Sequence, residues 1–318
     1  MKKFISLFKK VGGGNVLKQY LRAHVFLFSM VQTLLQGFTK KGLELVRLSV
    51  DAKVYRKLQK KYRRFIRDYV RTHPADNDTL KHNPVIWTIW LQGMEQAPKI
   101  VQQCYASMQK HITDRPIIVI TEDNFRDYVT FPDYIMDKYE KGMISKVHFA
   151  DLLRIELLAQ HGGTWLDGTV FVSDVPFQPY VLDSQLFMFQ TLKPGLDGHC
   201  RAVSSWLMTA YSQNPIILLT RALLHEYWRT HKYAVDYFIL HDFIQMSIEA
   251  YPQIWSKVVP FSNSTPHILL LRLFEPFDGA VWEGVRRQTG FHKLSYKFTP
   301  EQAQLTQTYY TEVLGQYR

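Results

Sequence analysis

Residues 145–174 contain the side chains whose types and spacing could do chemistry in this sequence. Asp151 and Arg154 are three residues apart, so on a helix they would project from one face and could hold a ligand together. Asp167 and Thr169 follow a glycine pair and are two residues apart, which places them on one face of a strand. A carboxylate at a strand end can chelate a divalent cation, and oxygen ligands suit magnesium or manganese.

Each of these signals also has a purely structural explanation. An Asp and an Arg at this spacing are typical of an ion pair on a helix surface. The dipeptide Asp167-Gly168 is typical of an ordinary turn. Spacing alone therefore leaves open whether these residues form a ligand site.

A helix, a glycine stop and a strand must position these residues. Gly162-Gly163 after His161 predicts the C-terminal end of the helix, and residues 164–167 predict a strand that follows it. The apolar face of the predicted helix consists of Phe149, Leu153 and Leu157. Asp151 and Arg154 would then lie on a different face of the same helix.

Two short apolar runs upstream, residues 85–91 and 116–121, are typical of buried strands. Residues 98–111 between them predict a helix, because Pro98 suits a first helical turn and the apolar residues fall on one stripe. The order strand, helix, strand predicts a right-handed parallel crossover of the nucleotide-binding kind. Neither GxGxxG nor GxxxxGK[ST] is present, which argues against a dinucleotide oxidoreductase and a P-loop kinase. Any phosphates would be bound by a metal or by side chains.

Positive charge is concentrated at the N-terminus. Residues 1–81 hold 19 of the 39 Lys and Arg but only five of the 28 acids, a formal balance of +14, whereas the remaining residues carry −3. This distribution fits a protein held against an anionic membrane better than one with a basic cleft for nucleic acid. The two cysteines form no CxxC pair, so we expect a reducing, cytoplasmic location.

The most apolar stretch, residues 23–38, is interrupted by Gln32 and Gln36 and is too short to span a bilayer. Apolar residues recur in it at every fourth position, at Phe26, Met30, Leu34 and Phe38. The pattern predicts an amphipathic helix that lies either in the membrane interface or in a helical hairpin packed on the rest of the protein. Both alternatives remain open from the sequence.

The order of motifs resembles the capsular polysaccharide synthesis glycosyltransferases, relatives of the sugar transferases that carry a DxD motif and of the glucosylating bacterial toxins. The resemblance is carried by Asp-Leu-Leu-Arg at 151–154 and Gly-Gly-Thr-Trp-Leu-Asp-Gly-Thr at 162–169. Further segments that match are residues 89–93, 97–99, 139–142, 236–238 with His241, and 292–294. The resemblance implies an α/β fold with a GT-A-like mixed sheet flanked by helices over residues 81–318. A helical, basic, membrane-associating region would occupy residues 1–80.

The resemblance also implies roles for individual residues. Trp90 would stack on the base of a nucleotide-sugar donor, while Asp151 and Arg154 would hold the sugar and ribose. Asp167 would lie beside the diphosphate and bind Mn²⁺ or Mg²⁺. Asp151, Arg154 and Asp167 are the candidate catalytic residues.

One position departs from the DxD pattern, because Thr169 stands where the broader families have a second acid. Either Asp167, the diphosphate and a downstream group hold the metal, or Lys and Arg side chains replace it. His292 is the candidate metal ligand and Lys293 the candidate diphosphate ligand, in a predicted loop, and the alternative is that both are exposed and solvated without a ligand. His241, in an aromatic helix, is expected to be a buried, hydrogen-bonded histidine.

The function implied is transfer of a hexose, with a UDP-sugar as donor, to a lipid-linked oligosaccharide in capsular or cell-surface polysaccharide synthesis. The enzyme would be peripheral at the inner face of the bacterial plasma membrane, and the resemblance favours retention of anomeric configuration. The alternative is a non-catalytic, membrane-bound assembly or carbohydrate-binding protein with a degenerate donor site. Thr169 motivates that alternative.

Overall fold

The computed structural model of the protein describes residues 13–75, 79–192 and 199–317. Residues 1–12 and 76–78 of the predicted 1–80 region lie outside these residues.

Three helices form the N-terminal part of the described chain: α1 (Gly13–Arg22), α2 (Phe26–Gln36) and α3 (Lys40–Thr72). Helix α3 begins at Lys40 because the side chain of Thr39 accepts the N–H of Gly42 as an N-cap. No helix among the described residues is long and apolar enough to cross a membrane.

Helix α3 packs on the rest of the protein through one stripe of side chains. Its buried residues recur at intervals of four, at Val46, Val50, Val54, Leu58 and Tyr62. They belong to the same hydrophobic cluster as the helices of the C-terminal half, where the ring of Tyr62 meets that of Phe243 edge to face. The helices of the predicted 1–80 region therefore share a core with residues that follow them.

The centre of the fold is a five-stranded mixed sheet in the order β2-β1-β3-β6-β5. Strands β1, β2 and β3 are parallel, whereas β6 runs antiparallel to both β3 and β5. The strand bounds are β1 (Ile86–Ile89), β2 (Ile117–Ile120), β3 (Gly163–Asp167), β5 (Leu186–Gln190) and β6 (Val203–Ala210). Helix α4 (Lys99–His111) connects β1 to β2, so the predicted parallel crossover is confirmed. The predicted α/β class, with a mixed sheet flanked by helices, is confirmed as well.

The remaining helices follow in chain order. They are α5 (Phe125–Tyr128), α6 (Asp133–Glu140), α7 (Lys146–Gln160), α8 (Tyr180–Asp183), α9 (Pro215–Thr230), α10 (Ile239–Ala250), α11 (Pro252–Trp255), α12 (Ile268–Arg272), α13 (Gly279–Arg286) and α14 (Pro300–Ala303). Single turns of 3-10 helix occur at Met94–Gln96 and Thr265–His267, and a π-helical turn at Tyr310–Leu314.

Two glycines join α7 to β3 in the predicted way. Gly162 and Gly163 have φ of +71° and +99°, a region that side chains with a Cβ rarely adopt. A Cβ on Gly163 would lie 2.5 Å from the carbonyl oxygen of Val85. The glycine pair therefore ends the helix and lets β3 enter the sheet directly beside β1.

A separate two-stranded antiparallel ribbon is formed by β4 (Val170–Val172) and β7 (Phe291–Lys293). The sequence predicted a loop at His292 and Lys293, and that prediction is wrong. Val170 pairs with Lys293 in the ribbon. Because β4 follows β3 after a short turn, this register brings Lys293 to the end of β3.

Candidate active site at the ends of strands β1 and β3

The carboxyl ends of β1 and β3 form a topological switch point. The chain leaves β1 through α4 toward β2 on one side, whereas β3 pairs with β1 on the other side. Open α/β sheets bind ligands at such divergence points, outside the carboxyl ends of the strands. Asp167 pairs with Ile89 at this edge, and Trp90 follows directly. The sequence-predicted Trp90 and Asp167 are therefore brought together by the sheet itself.

Arg154 is the centre of a buried ion-pair network. Asp151 and Arg154, both on α7, are only 8% and 6% exposed. The Nη1 atom of Arg154 lies 3.3 Å from Oδ1 of Asp151, and its Nη2 atom lies 3.1 Å from Oδ1 of Asp167. The alternative of an ion pair on a helix surface is excluded, because one guanidinium joins two carboxylates in the interior.

Two further residues complete the surroundings of Arg154. The hydroxyl of Ser205 on β6 accepts a hydrogen bond from Nη1 of Arg154. The guanidinium lies 4.8 Å from the centroid of the Trp165 ring, and Nε1 of Trp165 donates to Oδ1 of Asp167 at 2.9 Å. Sequence reasoning missed both. Trp165 was detectable, because strand alternation puts it on the same face as Asp167, whereas Ser205 carries no local signal.

Lys293 reaches the other oxygen of Asp167. Its Nζ atom lies 3.0 Å from Oδ2 of Asp167 and also donates to the hydroxyl of Thr169. Burial alone would raise the pKa of Asp167, but the positive charges of Lys293 and Arg154 outweigh it and hold that pKa below its usual value. Asp167, whose side chain is 25% exposed, is therefore a carboxylate neutralised from two sides.

The residues around Asp167 do not fit a divalent metal. Both of its oxygens already accept N–H groups, from Arg154 and Trp165 at Oδ1 and from Lys293 at Oδ2. Across residues 13–75, 79–192 and 199–317, no group of three or more His, Cys, Asp and Glu residues could hold a metal ion. A metal ion at Oδ2 would lie beside the ammonium group of Lys293, and the two positive charges would repel each other.

The predicted metal ligand His292 lies elsewhere. It neighbours Lys293 on β7, so its side chain points to the opposite face of the ribbon. It is fully buried, where its Nε2 atom lies 3.1 Å from the hydroxyl of Ser173, and burial lowers its pKa to about 3. No hydrogen bond or ion pair joins it to Asp167 in the part of the chain that the structure describes. The structure does not bring these two predicted metal ligands together.

Aromatic side chains border the ion-pair network on its exposed side. The half-buried indole of Trp90 meets the ring of Tyr296 edge to face, with centroids 5.7 Å apart. Tyr237 is half exposed, and its ring lies 6.2 Å from that of His148, whose Nδ1 atom is 3.6 Å from Asp151. These rings offer flat apolar surfaces beside the charged groups, an arrangement that suits a base or a sugar ring.

His241 lies near the network rather than apart from it. Burial lowers its pKa to about 4, and the charges of Asp151 and Arg154 act on it. Its Nδ1 atom is enclosed and has no hydrogen-bond partner among the described residues. The prediction of a hydrogen-bonded histidine is therefore wrong at this atom. Unmet polar atoms of this kind are uncommon in folded proteins and often mark positions where a ligand or water binds.

Arg201 fixes the segment that carries Tyr237 and His241. Its Nη2 atom lies 2.7 Å from Asp236 and its Nε atom 2.7 Å from Asp242, both on that segment. Its Nη1 atom lies 3.3 Å from Asp51 on α3. One guanidinium thus ties the long N-terminal helix to a wall of the candidate site. No local pattern in the sequence predicts this three-carboxylate cluster.

Among solved structures, the chain is similar to the PaToxG glycosyltransferase, with a TM-score of 0.36 and 14% identity, over 86% of this chain and 98% of that one. It is also similar to a transferase mutant, with a TM-score of 0.32 and 11% identity, over 53% and 84% of the two chains. A search of curated proteins found no match. The family model of the capsular polysaccharide synthesis proteins matches residues 38–313, which include every residue of the candidate site, and the chain belongs to that family.

Proposed function

We propose that this protein is a glycosyltransferase that transfers a hexose from a nucleoside diphosphate sugar, with UDP as the nucleotide, to a lipid-linked glycan. The observation that carries the proposal is the placement of Asp167 at the switch point between β1 and β3, ion-paired with both Arg154 and Lys293. Membership of the capsular polysaccharide synthesis family supports a glycan product.

The chemistry of the site suits each part of such a donor. Trp90 presents an indole face for the base. The carboxylate of Asp151 can accept hydrogen bonds from sugar hydroxyls, and the guanidinium of Arg154 fixes that carboxylate in place. Lys293 is the more exposed cation of the network, with 19% of its side chain accessible. It is therefore the group placed to meet the diphosphate.

Transfer breaks the bond between the sugar and the diphosphate, so negative charge grows on the leaving phosphate oxygen. A fixed ammonium group beside that oxygen stabilises the transition state more than the ground state. Lys293, held by Asp167 and Thr169, is preorganised for this task. The proposed charge stabilisation does not involve Mn²⁺ or Mg²⁺, because the residues around Asp167 do not fit a divalent metal. The resemblance favours retention of configuration, which needs no separate general base.

We also propose that the protein works as a peripheral protein at the inner face of the plasma membrane, where a lipid-linked acceptor would be found. The excess of positive charge in residues 1–81 supports this location. On α3, the basic residues Arg56, Lys60, Arg63 and Arg64 are all exposed. They are free to approach anionic headgroups without disturbing the buried stripe of the helix.

The alternative is a carbohydrate-binding protein with a degenerate donor site, and Thr169 is the residue that favours it. Incubation of the purified protein with radiolabelled nucleoside diphosphate sugars separates the two, because only an enzyme hydrolyses or transfers the donor. Hydrolysis that Asp167→Asn abolishes and Asp174→Asn preserves would support the proposal. Asp174 is a matched control, since it is exposed and its ion pair is with Arg286. Donor binding without turnover would favour the alternative, and absence of binding to every donor would refute both.

A further inference from the structure

Helix α2 exposes its apolar residues to solvent. Leu27, Leu34 and Leu35 are 76%, 71% and 72% exposed, and Met30 and Val31 are each about half exposed. At 3.6 residues per turn these five side chains fall on one face of the helix. The face continues past the C-terminal end of α2 to Phe38, which is half exposed as well.

The inner side of α2 packs on the rest of the protein through the partly buried Phe28 and the small polar residues Ser29 and Thr33. Ser29 is buried, and its hydroxyl donates to the carbonyl oxygen of Phe26. The hydroxyl of Thr33 donates to the carbonyl oxygen of Ser29 in the same way. The hydroxyl groups of Ser29 and Thr33 thus form their hydrogen bonds within α2, and α2 packs along α3. A helix at a water interface normally turns its larger apolar face inward, whereas α2 leaves most of its apolar side chains exposed.

The surroundings of the exposed face indicate what covers it. Exposed cations flank α2 on both sides, Lys18 and Arg22 before it and Lys40 and Lys41 after it. The first acid in the chain is Glu44. An apolar face flanked by cations without any acid is the pattern of a helix in the interface of an anionic bilayer. With 11 residues, α2 is far shorter than the roughly 20 residues a spanning helix needs.

We propose that α2 inserts parallel to the surface of an anionic phospholipid bilayer, with Leu27, Val31, Leu34 and Leu35 among the acyl chains. The flanking lysines and arginine would then lie at the phosphate level. The inference deepens the membrane association proposed above and rests on it. It assigns the anchoring to an apolar element, so the proposed association can stand on charge alone if this inference fails.

The test uses the full chain and vesicles of phosphatidylglycerol and phosphatidylcholine in equal parts. The variant carries Leu27→Gln, Leu34→Gln and Leu35→Gln together. The matched control carries Leu192→Gln, Leu271→Gln and Leu305→Gln, three exposed leucines of the described chain outside α2, of which Leu271 is 77% exposed. The α2 variant is expected to lose vesicle partitioning by at least about tenfold, because large apolar groups no longer leave water on binding. The control variant is expected to bind like the wild type.

Several outcomes overturn the inference in distinguishable ways. Equal vesicle binding by the α2 variant and the wild type would show that charge alone holds the protein. A wild-type dimer in lipid-free solution that the α2 variant converts to monomer would assign the face to a second copy of the chain. A wild-type protein that binds no vesicles would remove the proposed membrane association together with this inference.

Insertion itself has a separate readout. An environment-sensitive dye is attached to Leu35→Cys in a Cys200→Ser background, since Cys104 is fully buried and unreactive. The dye emission is expected to shift to the blue when vesicles are added. The same dye at Gln253→Cys, an exposed position on α11, is expected to show no shift. An unshifted dye at position 35 on vesicle-bound protein would overturn the inference.

Discussion

Lys293 and Asp167 form an ion pair at 3.0 Å although they belong to strands of two different sheets. The pairing exists because β4 continues from β3 after a short turn and β7 pairs with β4. If the ammonium group of Lys293 replaces a metal, donor binding should survive chelation. Wild-type affinity for a nucleoside diphosphate, followed by quenching of tryptophan fluorescence, is expected to be unchanged in excess EDTA. Lys293→Ala should lose that affinity by at least about tenfold, whereas Lys297→Ala should not. Affinity that appears only with Mn²⁺ would refute this role for Lys293.

Asp167→Asn should reduce donor turnover by at least about a hundredfold, because it removes the charge that orients Lys293 and Arg154. The network also predicts a cost in stability. Trp165, Arg154 and Lys293 all donate to this carboxylate, so the free energy of unfolding should fall by about 1–3 kcal/mol. Kinetics and urea unfolding measured side by side separate the two effects. Unchanged turnover in a folded variant would remove Asp167 from the active site.

Arg154→Lys should impair donor use by at least about tenfold, because an ammonium group cannot reach Asp151, Asp167 and Ser205 at once. Arg115→Lys is the matched control. Arg115 is equally buried and also joins two aspartates, Asp114 and Asp183, but it lies at the opposite edge of the sheet, before β2. Both variants should lose stability, and only Arg154→Lys should lose activity. Equal activity in the two variants would mean that Arg154 has a structural role alone.

Acid sensitivity should depend on His292. Burial lowers its pKa from 6.5 to about 3, so the folded state favours the neutral imidazole. The neutral imidazole makes its full contribution to the free energy of unfolding above pH 6.5, the pKa of histidine in the unfolded chain. That contribution is lost as the pH falls from 6.5 toward 3, by up to about 1.4 kcal/mol per pH unit. His292→Gln should therefore flatten the dependence of unfolding free energy on pH in this range. The exposed-site control His24→Asn should keep the wild-type slope, and an unflattened slope in His292→Gln would contradict the burial argument.

Charge reversal on α3 should weaken membrane binding without unfolding the protein. The variant changes Arg56, Lys60, Arg63 and Arg64 to Glu, and it spares Lys61, whose Nζ atom lies 2.8 Å from Nε2 of His231. Each basic residue near an anionic leaflet contributes about 1 kcal/mol at most. Sedimentation with anionic vesicles should fall, with an unchanged circular dichroism spectrum. A folded variant that still sediments fully at physiological salt would exclude an electrostatic role for α3.

Deleting the N-terminal helices would be a poor test of membrane binding. The sequence left open whether Phe26, Met30 and Leu34 pack on the rest of the protein. In the structure Met30 and Leu34 are exposed, and the covering residues are those of α3, such as Val50 and Tyr62. A chain that begins near residue 83 would therefore expose part of its core and is expected to aggregate.

Local patterns predicted the helix and the strands that carry the candidate site. The helix at 146–160, its glycine stop and the strand at 163–167 follow from apolar periodicity and from the backbone freedom of glycine. Helix spacing put Asp151 and Arg154 together, whereas a common site for these two residues and Asp167 was implied only by the family resemblance. What the sequence could not predict depends on register between distant strands. The pairing of Val170 with Lys293 and the approach of Ser205 to Arg154 arise only when the sheets assemble.

The alternation of side chains along β7 explains why His292 and Lys293 lie in different surroundings. The sequence predicted that His292 and Lys293 are neighbours in a loop, where both side chains could approach the same ligand. Once the segment is a strand, consecutive side chains must point to opposite faces. Lys293 therefore reaches Asp167 while His292 enters the core beside Trp282 and Phe171.

Because of the Arg201 cluster, a substitution in the N-terminal helices can impair the candidate site. Asp51 belongs to α3, the helix whose charges we assign to the membrane, yet its carboxylate holds the guanidinium that anchors the segment bearing Tyr237 and His241. A strain with Asp51 altered should therefore make an enzyme that reaches the membrane normally and handles its sugar donor badly. In a genetic screen for capsule-deficient mutants, such alleles would map to the N-terminal helices and behave biochemically like lesions of the distant pocket.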